Sequence, residues 1–155
     1  MRLSEHCGIV YVLKPGDHQA GVDGDSFILK NYRSAAIILQ TAVLTGDAVL
    51  KVYSGATAGT KTTAQTFNYR LADADQGTAT ADTFAAWSTS AALTLTAATY
   101  DNRTLVIEID AAALTADEPW VTLEISAAAS AFNAAALAIL SEPRYAQHDM
   151  LTAIA

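Results

Sequence analysis

Cysteine is nearly missing from this chain: Cys7 is the one thiol in 155 residues. That excludes an internal disulfide framework. A chain of this length can bury roughly 70% of its unfolded surface, so it needs no staple to fold. Long apolar runs are also missing. No stretch approaches the ~18 apolar residues of a membrane span, and the opening residues 1–6, M-R-L-S-E-H, lack the apolar core of a signal peptide. The expectation is a protein made and used without export by the general pathway, with no membrane partner.

Basic clusters are missing too. Lysine and arginine occur singly, as at Lys14, Lys30, Arg33, Lys51, Lys61, Arg70 and Arg103, and 16 acidic against 9 basic residues leave a net charge of −7. With no basic stripe to neutralise phosphates, nucleic acid is not an expected partner. Charge of either sign is scarce at 16%, against an ordinary ~25%. Alanine, at 33 residues, fills much of the difference. Two explanations stay open at this point: a compositional bias of the genome, or a surface extensively covered by partners, since interface cores are poor in charge.

What the chain does have is a period of two. Residues 104–110 read T-L-V-I-E-I-D and residues 120–126 read W-V-T-L-E-I-S. Leucine and isoleucine take one face and mostly polar residues the other, as in a half-buried strand. Residues 8–13 (G-I-V-Y-V-L) predict a first strand ended by the turn K-P-G-D at 14–17. A turn at 23–25 precedes strands at 26–30 and 35–42. The unbroken apolar run of the latter, A-A-I-I-L-Q-T-A, predicts cover on both faces. Further strands are expected at 48–54, 63–71 (with Phe67, Tyr69 and Leu71 on one face), 82–88 and 91–96. Residues 55–60 read as a loop, 73–81 as an exposed loop and 111–114 as one helical turn. Residues 127–140 are alanine-rich, and propensity alone favours helix. Asn133 interrupts the run, and 134–141 alternates well enough to pair as a last strand before Pro143. About nine strands result: an all-β, single-domain antiparallel β-sandwich or small jelly-roll-like barrel over 1–155. Residues 1–8 form an N-terminal arm and 145–155 a C-terminal tail, both extended.

No catalytic constellation accompanies the strands. G-A-T-A-G-T-K-T at 55–62 has the wrong spacing for a phosphate loop and lies between strands, where a helix is required. Asp73-x-Asp75-x-Gly77 partly matches a calcium loop but lacks the glutamate at the twelfth position, which is Phe84. His6 and Cys7, adjacent on an extended segment, would point to opposite faces and could not share a proton. His18 and His148 fall in polar, exposed-looking segments. No catalytic residue, cofactor or metal ligand is expected. Trp87, Trp120, Phe67 and Tyr69 are most simply core residues, whereas Tyr32, Tyr53 and Tyr145 would suit an interface.

The two ends carry a resemblance. The segment S-E-H-C-G-I-V-Y-V-L-K-P-G-D-H-Q-A-G-V-D-G-D-S-F-I-L-K-N-Y at 4–32 and the segment A-A-A-L-A-I-L-S-E-P-R-Y-A at 134–146 resemble small auxiliary virion proteins of tailed bacteriophages, of the kind that decorate or cement the capsid. The middle is similar in pattern only, through T-G-D-A-V-L-K-V-Y, T-F-N-Y-R and W-V-T-L-E-I. The resemblance implies an all-β subunit, often a homotrimer, that binds the outside of the major capsid protein shell and bridges its subunits, with no enzymatic activity. It would be assembled in the host cytoplasm and reside on the virion. Within this chain the terminal residues Arg2, Leu3, His6, Arg144, Tyr145, Met150 and Leu151 are the candidate partner contacts, because terminal segments can bury extended backbone against another chain. Two other readings stand beside it: another phage structural subunit (head-tail joining or tail-tube), and a β-sandwich ligand-binding or hydrolytic module.

Overall fold

The computed structural model of the protein describes residues 3–144, 153 and 154. After a single helical turn, α1 (Leu3–His6), come β1 (Gly8–Asp17), β2 (Val22–Asp23), β3 (Phe27–Ile28), β4 (Tyr32–Leu44), β5 (Ala48–Gly55), β6 (Thr63–Gln65), β7 (Phe67–Leu71), β8 (Ser88–Ser90) and β9 (Leu93–Leu95). A second turn of helix, α2 (Ala97–Tyr100), leads to β10 (Thr104–Asp110), a 3-10 turn at Ala111–Ala113, β11 (Trp120–Ile125) and β12 (Phe132–Pro143). The first sheet runs β1-β12-β4-β10-β7-β8 and the second β2-β11-β5-β6, with β3 also on β11 and β9 also on β5. Every pairing is antiparallel. The expected sandwich is therefore present as one domain, and among the described residues the sheets do not close into a barrel. Among the described residues twelve strands replace the nine expected, and five of them, β2, β3, β6, β8 and β9, are only two or three residues long.

The core lies between the sheets. Ile37 and Leu39 of β4 and Leu105 and Ile107 of β10 face Leu50 and Val52 of β5 and Val121 and Leu123 of β11, all essentially without exposure. Burying each such side chain contributes roughly 1.5–3 kcal/mol relative to leaving it in water. The alanine-rich segment is a strand, as its alternation predicts. β12 puts Ala134, Ala136, Ala138 and Leu140 into the core and is paired on both edges, by β1 and β4. Two backbone ladders outweigh the helix propensity of alanine, which is a few tenths of a kcal/mol per residue.

Several expectations need correction. K-P-G-D does not end the first strand. β1 continues through it to Asp17, with register shifts against β12 between Tyr11 and Leu13 and between Leu13 and Gly16. Pro15 is tolerated because β1 is an edge strand with bulges. Residues 63–71 are not one strand. β6 belongs to the second sheet and β7 to the first, so the chain crosses between layers at Thr66. The N-terminal arm is not extended where it is described: it is the turn α1, closed by the Cys7 amide donating to the Leu3 carbonyl at 2.8 Å. His6 and Cys7 thus lie in and just after a helical turn, not on a strand. Of the expected core aromatics Phe67 is buried, Tyr69 and Trp120 are half-buried, and Trp87 is exposed. Trp87 stacks on the Arg70 guanidinium at 5.0 Å, and that group reaches back to the Phe84 and Ala85 carbonyls. Tyr32, read as an interface residue, is instead a core residue packed so closely under Gly8 that a Cβ there would meet its hydroxyl at 2.8 Å. His18 is buried rather than exposed, its ring Nε2 3.0 Å from the Lys14 carbonyl.

Candidate functional site

Of the candidate terminal contacts, the described Leu3, His6 and Arg144 lie toward one end of the first sheet. Gly8 pairs with Leu140, so α1 lies against the C-terminal half of β12. Leu3, His6 and Arg144 are all exposed there. The Arg144 amide donates to the Asn31 carbonyl at 2.9 Å, which keeps the chain beside the start of β4. Arg33 and Glu142 form an exposed ion pair at 3.5 Å, a contact worth little to stability. With Asp110 and Arg144 they border an open depression of about 430 Å³. Arg2, Tyr145, Met150 and Leu151 lie outside the described residues, as do Tyr145 as an interface tyrosine and His148. Farther along, Ala153 is buried and its carbonyl accepts from the Ile28 amide at 2.8 Å, so this point of the tail docks on the protein's own β3.

A second surface was only half legible in the sequence. Strand registers place Ile9, Ile139, Ala36 and Glu108 in one row across the outer face of the first sheet, and Tyr11, Leu137, Ile38, Val106 and Arg70 in the next. Over β1, β12 and β4 these rows hold no ionisable side chain apart from the phenol of Tyr11. Ile9 is 53% exposed, Tyr11 57% and Leu137 38%. The bulged part of β1 raises Tyr11 and Pro15 beside Ile38, Ala135 and Leu137, leaving an apolar groove of about 340 Å³. The run at 35–42 predicts cover on both faces. The described residues supply it on one: Ala35, Ile37 and Leu39 are in the core, while Ala36 and Ile38 remain half-exposed and Gln40 exposed.

The outer face of the second sheet is closed by its own polar contacts. Lys61, on the loop after β5, donates to Asp23 and Glu124 and lies 5.7 Å from the Tyr53 ring. Thr122 is fully buried, hydrogen-bonded at 2.8 Å to Ser26, whose hydroxyl also accepts from the Gly59 amide. Ser54 is buried beneath, donating to Glu118 at 2.6 Å and accepting from Gln65 at 2.8 Å. The glycine-threonine loop at 55–62 is therefore a hairpin connection, as its flanking strands predict. Its lysine is committed to carboxylates. Gly55 is required because a Cβ would stand 2.2 Å from the Thr60 carbonyl oxygen.

The calcium-like loop is occupied by a cation of the chain itself. Arg103 contacts Asp75 at 3.2 Å and donates to the Ala72 and Asp73 carbonyls. Among the described residues no group of three or more His, Cys, Asp or Glu is placed to hold a metal ion, and no helix is long and apolar enough to cross a membrane.

Among the described residues three groups hold their protons more tightly in the fold than in the unfolded chain. Burial pushes Tyr32 up, with Cys7 nearby adding to it. Burial also raises Tyr100, assisted by Tyr69. Lys61 is raised first by its hydrogen bond to Glu124 and then by that to Asp23. Ordinary values are 10.0 for tyrosine and 10.5 for lysine. A raised value contributes stability that is complete below the unfolded value and lost as pH climbs through the folded one. Denaturant midpoints should therefore fall above about pH 10, and Lys61→Met should make that fall shallower. A midpoint that holds steady across the alkaline range would contradict this.

The fold defines a class: a two-sheet antiparallel sandwich with one self-covered outer face and one apolar outer face that no other described residue covers. No family model and no curated protein sequence matches the chain. Among solved structures it is similar to the crystal structure of the SPBc2 prophage-derived protein YomS, with a TM-score of 0.52 and 10% identity over 86% of this chain and 92% of that one. A likeness at that identity is one of fold, and fold does not carry function with it.

Proposed function

We propose that this chain is a structural component of a tailed-phage virion, and specifically a decoration or cement protein that binds the outside of the major capsid protein shell. The observation that carries the reading is the sequence resemblance at 4–32 and 134–146. The sandwich shared, over most of both chains, with a protein of prophage origin is compatible with it. The mechanism is binding: many copies, as trimers in the resembled group, each bridge neighbouring shell subunits, and weak contacts add through multivalency. Leu3, His6 and Arg144, gathered at one end of the first sheet, are the described residues assigned to the shell contact.

Mixing the protein with expanded, undecorated capsids tests this. Saturable co-sedimentation is expected, with capsids that resist heat better once decorated. Absence of binding at high molar excess would overturn the decoration role. Rings or tubes of the purified protein in negative stain would move it to a joining or tail-tube subunit.

A further inference from the structure

The outer face of the first sheet remains uncovered by anything in the described chain. Its β4 and β12 carry apolar residues on both faces, a pattern that belongs to strands buried on both sides. Contiguous exposed apolar surface of this kind marks an interaction site. We infer that a second copy of this chain covers it, packed against Ile9, Tyr11, Ile38, Leu137 and Ile139.

Three observations select another copy as the occupant. The first is charge. Each copy carries a net charge of −7, so copies repel except where acidic groups are absent. The rows over β1, β12 and β4 meet that condition. The opposite face of the sandwich does not: Asp23 and Glu124 stand there around Lys61. The second is size. With strands about 4.8 Å apart and a rise of about 3.4 Å per residue, nine residues of β1, β12 and β4 span about 14 Å by about 30 Å. That is of order 400 Å² before side-chain relief is counted, about half of the roughly 800 Å² per partner of a standard interface and enough for a concentration-dependent contact between copies. The third is shape. The same surface holds projecting side chains, Ile9 and Tyr11, beside an apolar groove of about 340 Å³. A surface that meets its own kind needs both protrusion and recess.

Light scattering and sedimentation of the purified chain test this without any capsid, so the result is independent of the virion reading. The native protein is expected at a two- or threefold multiple of the 16.2 kDa chain mass. Tyr11→Asp and Leu137→Asp, at exposed positions, should return it to onefold with an unchanged circular dichroism spectrum. Ala64→Asp, an equal charge on the exposed β6 of the other sheet, should leave the multiple intact. If either aspartate variant misfolds, Gln40→Glu puts a charge on the same face at a position already exposed, and it should also lower the multiple. A native chain that is monomeric at its highest soluble concentration overturns the inference. An oligomer that survives Tyr11→Asp, Leu137→Asp and Gln40→Glu overturns it equally. Should the chain be monomeric while these variants lose capsid binding, the face belongs to the shell and the inference fails.

Discussion

Ile37→Ala is expected to cost about 2–5 kcal/mol, the range for truncating a fully buried isoleucine, whereas Ile38→Ala, one residue along, should cost no more than about 1 kcal/mol. The two are identical in chemistry and adjacent near the middle of β4. Ile37 has no exposure and packs among Leu39, Ile107 and the facing strands of the second sheet. Ile38 lies on the outer face, half-exposed, beside Leu137 and Val106. Truncation at 37 opens a cavity that a close-packed core fills only in part. Truncation at 38 removes a methyl-rich patch from a surface that water already reaches. Urea midpoints of the two variants in dilute solution check this, since m should be unchanged and only the midpoint should move. Equal losses at both positions would mean that the outer face is covered within the single chain. The same pair examined at high concentration probes the proposed contact between copies, where Ile38→Ala alone should reduce association.

Thr41→Val should lower stability by roughly 1–3 kcal/mol although it preserves shape, because each buried polar group left without a partner costs about that much. Thr41 is buried at the far end of the same strand. Its hydroxyl donates to the Tyr100 carbonyl and accepts from the Arg103 amide at 3.0 Å, and its own amide donates to the Arg103 carbonyl. Those contacts hold α2 and the following turn against β4. The turn needs holding: Asn102 has a positive φ of 51°, a conformation tolerated mainly by Gly, Asn and Asp. Valine would leave the Arg103 amide without its acceptor. Thr41→Ser, which keeps the hydroxyl, should recover most of the loss in thermal unfolding. Failure of serine to rescue would assign the effect to packing of the methyl group and sink the hydrogen-bond account.

Strand identity was largely legible because it depends on local alternation. β10 and β11 are where T-L-V-I-E-I-D and W-V-T-L-E-I-S predict them, and β12 is a strand despite its alanines. The 3-10 turn at Ala111–Ala113 and the loop after β5 were legible for the same reason. The errors occur where a neighbour decides. Pro15 ends a strand in most contexts, but β1 is an edge with bulges, so the missing amide costs no ladder bond. Thr66 reads as mid-strand, yet the chain changes sheets there. Trp87 looks like core by size, yet Arg70 holds it at the surface. His18 looks exposed by its polar neighbours, yet it is buried with its ring against the Lys14 carbonyl.

The candidate surfaces divide the same way. Which residues are terminal is a matter of numbering, but the meeting of α1 with the end of β12 follows from the pairing of Gly8 with Leu140, 132 positions apart. The apolar run at 35–42 announced that β4 wants cover on both sides, and what it could not say is which side the protein covers for itself. Periodicity is a property of neighbours along the backbone, so the primary sequence contains it whole. Which layer lies over a strand is set by contacts between residues far apart in the chain. Those contacts left Ile9, Tyr11 and Leu137 facing water while Ile37 and Leu39 face the other sheet.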